Sequence, residues 1–265
     1  MTQQLIRLAR EHGTVVGNAA DLAARDTETV LRIAAQNPGG ASFGLVREAI
    51  PEIMATYGAV IATVDVDYYD NLRAEADVDV DYTAQPRSQD WRTVAAPISG
   101  FAISRTVDEL DFDATTTLVA GNVASELFNS HRENIAFNAR RDPVRPQYKR
   151  ITRPGACDFC LYMATGFEGD GSNEEYKNFH TNCRCVDVAI FPGQRFVEPA
   201  YYGEFRSELA IARSRIQERR VAARALSPGM RDRDFFRQYP DTAITTPNLV
   251  REVRRVRLGQ PNNPV

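Results

Sequence analysis

The sequence predicts an α+β protein with a mainly helical N-terminal body (1–114), a small β-containing module with a Cys/His zinc-knuckle pattern (115–192) and a helical C-terminal arm (193–265). Three observations support this division. Apolar residues recur at helical spacing along most of the chain, a short alternating strand pattern follows the cysteines, and the sequence becomes arginine-rich beyond residue 193. With 265 residues, 43% hydrophobic and 25% charged, the composition is that of a folded protein.

The N-terminal body is predicted to contain three helical segments. Residues 2–37 indicate one or two helices, with an internal N-cap at Asp26 or Thr27. A helix of about six turns is expected to begin at Pro51, because proline is tolerated in the first turn. A third segment is expected to be interrupted between residues 97 and 100, where proline and glycine occur.

A long helix is predicted for residues 115–141, with Asp113 as its N-cap and Asp142-Pro143 as its end. His131 falls on the apolar stripe of this helix. We interpret it as a packed or hydrogen-bonded core residue, although histidine can also transfer protons. Two strands are expected beyond this helix, one around Ile151 and one over residues 186–190, where apolar residues alternate.

The four cysteines form two short groups, and one of the three histidines lies between them, in the pattern C-x2-C-x19-H-x2-C-x-C. Zn²⁺ in structural sites takes four thiolate or imidazole ligands, and C-x2-C supplies two of them from one turn. The sequence therefore predicts a structural zinc site with five candidates for four positions. The preferred ligands are Cys157, Cys160, His180 and Cys183, with Cys185 as the alternative fourth ligand or as a neighbouring thiol.

Three other arrangements of the cysteines compete with zinc. Disulfides are disfavoured because the N-terminus has no secretory character. A redox-active C-x-x-C motif is expected in a βαβ context, which this chain lacks. A cluster of reduced thiols without metal is the third possibility. If zinc binds, much of its binding free energy serves to fold a loop-rich segment that has little core of its own.

The net charge of −3 conceals two segments of opposite sign. Residues 65–81 contain seven acidic residues and one arginine, whereas residues 204–257 contain thirteen arginines and seven acidic residues. Such asymmetry suggests a different partner at each end. The acidic segment is interpreted as a solvated face, with a basic partner or a divalent cation as alternatives. No apolar run has the length of a membrane span, so no membrane partner is expected.

The C-terminal arm is predicted to contain two helices. Between residues 202 and 226 apolar residues follow heptad spacing, with Arg219 as the one polar exception; this stripe packs either on its own domain or on a partner helix. A short basic helix follows Thr246-Pro247, with four arginines on one side. These arginines predict sequence-independent contact with DNA phosphates or, equally, docking on an acidic protein: Arg251, Arg254, Arg255 and Arg257.

The region from about residue 115 to 192 resembles the Mu F-like minor head proteins of tailed bacteriophages. The resemblance lies in an arginine-bearing helix (132–141), G-A-C-D-F-C (155–160) and H-T-N-C-R-C (180–185). Family members commonly have proline after the histidine, where this chain has Thr181. The resemblance implies a low-copy virion component, located near the portal or inside the capsid, that contacts the portal and the major capsid protein and serves head assembly or DNA delivery.

The function expected from these features is structural rather than enzymatic. A capsid maturation protease is the alternative, using Cys160 or Cys183 with His180 or His131 as the base. All four cysteines lie inside the metal-like pattern, however, and a zinc-bound thiolate is not a free nucleophile. A zinc module that binds nucleic acid is the third hypothesis, which the mild overall acidity disfavours.

Overall fold

A computed structural model describes residues 2–36, 39–106, 112–165 and 183–262. The described chain is mainly helical and contains a two-stranded antiparallel sheet, which confirms the predicted α+β class. It divides into two compact units. Unit 1 comprises Met1–Arg153 and Asp170–Val197, and unit 2 comprises Pro154–Gly169 and Glu198–Val265.

Unit 1 is built on helices α1 (Thr2–Gln36), α2 (Gly40–Glu75), α3 (Trp91–Thr106) and α4 (Phe112–Arg141). Helices α1, α2 and α4 pack against one another, and α3 packs on α2 and α4. Each helix contributes one stripe of apolar residues to a shared core, as the periodicity predicts. Fully buried members of this core include Val16, Leu31, Ile50, Met54, Ile61, Leu72, Val123 and Leu127.

Asp113 is not the N-cap of α4, because it lies inside the first turn of this helix, which begins at Phe112. Three further predicted helix boundaries in unit 1 are wrong. Helix α1 is continuous, and the hydroxyl of Thr27 donates to the Ala23 carbonyl within the helix instead of capping a new one. Helix α2 begins at Gly40, so Pro51 lies inside it. Helix α3 continues through Pro97. In each case the apolar stripe is buried on both sides of the expected break, and tertiary packing outweighs the local preference.

The contact between α2 and α3 depends on a glycine. A Cβ atom added to Gly58 would lie 2.2 Å from Cζ2 of Trp91, so the indole ring packs directly on the glycine backbone. Trp91 is partly buried against the core.

The sheet of unit 1 pairs β1 (Gln147–Ile151) with β2 (Val186–Ile190). In the antiparallel register, Gln147 lies opposite Ile190 and Ile151 lies opposite Val186. All five residues of β2 are buried, and the strand packs on α1, α2 and α4. The two predicted strands are therefore confirmed, and the helical body positions the segment that carries the second pair of cysteines.

A buried ion pair connects the ends of α2 and α4. The guanidinium of Arg73 donates to Asp142, with 2.7 Å between Nε and Oδ2, and the two side chains are 9% and 0% exposed. Tyr69 donates a further hydrogen bond to the same carboxylate. Arg73 also donates to the carbonyls of Val80 and Tyr82, which fixes the extended segment after α2.

Unit 2 contains α5 (Asp158–Thr165), α6 (Ala200–Leu226), α7 (Asp232–Gln238), a 3₁₀ turn (Pro240–Thr242) and α8 (Thr246–Arg257). The heptad stripe of α6 packs on α5 and α8 inside the unit, which decides between the two predicted roles of this stripe. Its polar member, Arg219, forms a buried ion pair with Glu252 on α8 at 2.8 Å. The sequence did not predict α5 or α7.

Among the described residues, helix α2 alone has the length and apolar composition of a membrane span. The core helix of a folded domain meets the same criterion, so this observation is weak evidence for a membrane. Apolar residues of α2 that are at most 4% exposed within unit 1 are Val46, Ile50, Met54, Ile61, Tyr68, Tyr69 and Leu72.

Candidate metal site

Cys157 and Cys160 lie at the start of α5, in unit 2. The Cys157 carbonyl accepts the amide of Leu161 at 3.0 Å, and its Sγ atom lies 3.5 Å from the amide nitrogen of Cys160. Cys157 therefore occupies an N-cap position, where the helix dipole favours a thiolate. Cys160 is 4% exposed, whereas Cys157 is half-buried. The predicted tight turn between them is the first turn of a helix.

Asp158 anchors the start of α5 to the basic helix α8. Its carboxylate forms ion pairs with Arg254, at 3.0 Å, and with Arg257. Arg257 also pairs with Glu208 on α6. The C-x2-C segment is thus held by charged contacts inside unit 2.

Cys183 and Cys185 directly precede β2, in unit 1, and are 2% and 1% exposed. Arg132 of α4 holds this segment by three contacts. Its Nη2 atom lies 3.2 Å from the Cys183 Sγ atom and 3.1 Å from the Cys183 carbonyl oxygen, and its Nε atom lies 3.1 Å from the Cys185 carbonyl oxygen. A guanidinium at this distance stabilises a thiolate by a charge-assisted hydrogen bond.

Arg132 is itself fixed in place. It is 3% exposed, donates to the side chain of Asn129 and lies 5.6 Å from the ring centroid of Phe128. Arg184, between the two cysteines, instead forms a bidentate ion pair with Asp21 of α1. The hydrogen bond from Arg184 lowers the pKa of Asp21. The C-R-C segment therefore has two buried thiols and one side chain directed to α1.

Four of the five predicted ligands lie within the described residues: Cys157, Cys160, Cys183 and Cys185. Within unit 2 the Cys157 Sγ atom lies next to the Cys160 amide, and within unit 1 Cys183 and Cys185 are both buried. Soft thiolate ligands suit Zn²⁺. His180 and the glycine-bearing loop before it lie outside the described residues.

A second group of potential ligands lies in the core of unit 1, where helical packing brings together His12 of α1, Asp65 of α2 and His131 of α4. Nε2 of His12 lies 2.9 Å from Oδ1 of Asp65, and Nδ1 of His131 lies 2.7 Å from the same oxygen. The two imidazole nitrogens are 3.2 Å apart. All three side chains are at most 5% exposed, and the ring of Tyr68 stacks on His12 with centroids 4.1 Å apart.

The charges in this group follow from its surroundings. Burial lowers the pKa of His12, because the imidazolium loses its hydration. Burial alone would raise the pKa of Asp65, but the electrostatic interaction with the His131 ring and the hydrogen bonds from both histidines outweigh it, and the pKa is lowered. At pH 7 His12 is therefore neutral and Asp65 is ionised.

Sequence reasoning missed His12 and Asp65. Asp65 was grouped with the solvated acidic residues 65–81, and this interpretation is wrong for Asp65, which is fully buried. The signal was present in the helix periodicity, since Asp65 follows Ile61 and His12 precedes Val16 on buried stripes. His131, interpreted as a hydrogen-bonded core residue, is 0% exposed, which confirms that prediction.

The four arginines proposed to contact DNA all have acidic partners inside unit 2. Arg254 and Arg257 pair with Asp158, as described above. Arg251 pairs with Asp241 at 3.1 Å, and Arg255 pairs with Glu252 at 3.4 Å. Contact with phosphates would have to compete with these ion pairs.

Neither the curated proteins nor the solved structures contain a match to this chain. A model of the VG15 protein family matches residues 4–209, which include α1 to α5, both strands and the cysteine-bearing segments. Because the match covers more than half of the chain, the protein belongs to the VG15 family, a phage-type protein family.

Proposed function

We propose that this phage protein is a minor capsid protein, a low-copy structural component near the portal or inside the capsid, whose cysteines hold a structural zinc ion. The observation that carries the proposal is the fixed position of Cys183 and Cys185, where the buried Arg132 contacts the Cys183 sulfur and both carbonyls. Family membership and the resemblance to Mu F-like minor head proteins support a role in the virion.

The proposed ligands are Cys157, Cys160, His180 and Cys183, with Cys185 as the alternative fourth ligand. A zinc ion held by four such ligands has no open position for a reacting water, so its role is to stabilise the fold. The thiol environments fit this role. Cys160, Cys183 and Cys185 are each at most 4% exposed, whereas a catalytic thiolate must be reached by its substrate.

The proposed partners are the portal and the major capsid protein. Contact with packaged DNA through α8 is a weaker proposal, because Arg251, Arg254, Arg255 and Arg257 already have intramolecular partners. If these arginines do bind DNA, binding must be independent of sequence and must weaken steeply with salt.

Separate Cys160→Ala and Cys183→Ala substitutions in the phage distinguish the structural role from a thiol protease. We expect the major capsid protein to have its normal processed length in both mutants, because neither thiol is a nucleophile. The measurement is intact-mass spectrometry of the capsid protein from heads, with immunoblots confirming that each variant accumulates. Unprocessed capsid protein in a mutant whose variant accumulates normally would contradict the structural role.

A further inference from the structure

The outer edge of β2 is closed by side chains rather than by another strand. At Asp187, the backbone amide donates to Nε2 of His131 at 3.3 Å, and the carbonyl accepts from the hydroxyl of Tyr68 at 3.3 Å. Both backbone groups therefore point away from β1, the partner strand of β2 in the described sheet. Buried backbone groups need such partners, and α2 and α4 supply them here.

Hydrogen-bond accounting fixes the tautomer of His131. Since Nε2 accepts from the Asp187 amide, it carries no hydrogen, and the neutral ring must carry its hydrogen on Nδ1. That hydrogen is donated to Oδ1 of Asp65, 2.7 Å away. His12 donates its Nε2 hydrogen to the same oxygen at 2.9 Å, and the other carboxylate oxygen accepts from Asn134 at 2.7 Å.

A metal ion bound to His12, Asp65 and His131 is incompatible with the hydrogen bond between His131 and the Asp187 amide. Ligation through Nδ1 of His131 would leave the hydrogen of the neutral ring on Nε2, facing the amide hydrogen of Asp187. Two donors would then point at each other in a buried site, and the amide would lose its acceptor. Without a metal, the Asp187 amide keeps its acceptor, and the Asp65 carboxylate accepts hydrogen bonds from His12, His131 and Asn134.

We propose that His12, Asp65 and His131 form a hydrogen-bond relay that fixes the tautomer of His131. Through His131 the relay positions β2, and through β2 it positions the Cys183–Cys185 segment that directly precedes the strand. Asp65 acts through His131, which contacts the strand, and His12 completes the hydrogen bonds of Asp65. Arg132, the next residue of α4, holds the cysteine carbonyls, so one turn of α4 fixes residues 183–187. The effect on zinc rests on the proposed function, whereas the hold on β2 does not.

The substitution Asp65→Asn exchanges the donor and acceptor roles of residue 65 and His131, with almost no change in the shape of side chain 65. Asn134 donates its amide hydrogens toward position 65, while its oxygen accepts from the Arg87 amide at 3.1 Å, so it cannot turn over without losing that bond. The new side chain must therefore present its oxygen to Asn134 and its NH2 group to the imidazoles. Nδ1 of His131 then becomes the acceptor, and its hydrogen moves to Nε2, facing the Asp187 amide.

Imidazole ¹⁵N NMR tests the tautomer directly, because the chain has only three histidines. In the wild-type protein we expect His131 to be protonated at Nδ1 and bare at Nε2, and in Asp65→Asn to be protonated at Nε2. A variant that is only less stable would keep the hydrogen of His131 on Nδ1. Protonation of Nε2 in the wild-type protein, or an unchanged tautomer in Asp65→Asn, would overturn the proposal.

Hydrogen exchange of the Asp187 amide tests whether His131 holds β2 in position. We expect exchange about tenfold faster in Asp65→Asn and in His131→Asn, relative to Val188, because a buried amide without an acceptor opens more readily. His131→Asn retains a donor toward Asp65 and gives an independent test if the first variant folds poorly. Tyr69→Phe is the matched control, because it removes one buried hydroxyl contact from α2, that to Asp142, and should leave the exchange ratio unchanged. Equal ratios in all four proteins would overturn the proposal.

Competition with a zinc chelator tests whether the relay affects zinc binding by positioning the Cys183–Cys185 segment. We expect Asp65→Asn to bind zinc roughly 10- to 100-fold more weakly than the wild-type protein, the range seen when outer contacts of metal ligands are removed. Unchanged zinc affinity together with an inverted tautomer would overturn the positioning of the cysteines. If the wild-type protein binds no zinc, the metal part of the proposed function fails, while the tautomer and exchange results still decide whether the relay holds β2.

Discussion

Removal of zinc with a chelator is expected to lower the free energy of unfolding by about 4 kcal/mol, relative to protein in free zinc at 1,000 times the dissociation constant. The reason is mass action: a metal that binds the folded ligand set and not the unfolded chain stabilises the folded state. The cysteines lie at the start of the short helix α5 and just before β2. Thermal unfolding before and after chelation, under reducing conditions, measures the effect.

The control for this experiment is a variant that has already lost a proposed ligand. Cys183→Ser should be less stable than the wild-type protein and should respond little to the chelator. Added Zn²⁺ should restore the wild-type transition, whereas Mg²⁺ should not, because thiolates are poor ligands for Mg²⁺. Metal-free wild-type protein that keeps its full stability would contradict the ligand assignment.

Asp142→Asn is expected to destabilise unit 1 by about 3–5 kcal/mol, because it leaves Arg73 as a buried charge without its counterion. The carboxylate is 0% exposed and accepts hydrogen bonds from Arg73, from Tyr69 and from the amide of Val144. An amide of the same shape can accept only part of this set. Urea unfolding followed by circular dichroism measures the difference, since a changed midpoint at constant slope reports stability.

Asp67→Asn is the matched control for Asp142→Asn. Asp67 lies on α2 and is exposed, so the same chemical change should alter stability by no more than about 0.5 kcal/mol. A loss below about 1 kcal/mol in Asp142→Asn would show that water or another group replaces the counterion, contrary to the buried ion pair described here.

The helices of this protein could be predicted from apolar periodicity, but their ends could not. Pro51 and Pro97 are strong local signals for a boundary, and both lie inside helices. The burial of residues on both sides of each proline decides the outcome, and that burial depends on neighbouring helices that the local sequence does not specify. Helix α5 was missed because eight residues are too few for a periodic pattern.

The candidate site was predictable where spacing carries the chemistry. The pattern of Cys157, Cys160, Cys183 and Cys185 indicated a metal site because zinc ligands follow recognisable spacings. Arg132, which contacts the Cys183 sulfur, was not predictable, since it lies 51 residues away along the chain. His12 and Asp65 are likewise distant in sequence, and only the packing of three helices shows that they share one hydrogen-bond group.

The most direct test of the proposed function is quantitative mass spectrometry of purified phage particles, with the major capsid protein as the internal standard. A minor capsid protein predicts the intact chain in finished particles at a small ratio to the major capsid protein, on the order of the number of copies that a single portal vertex holds. Absence of the chain from finished particles, combined with abundance in precursor heads or in the lysate, would contradict the proposal and indicate a factor that acts only during assembly.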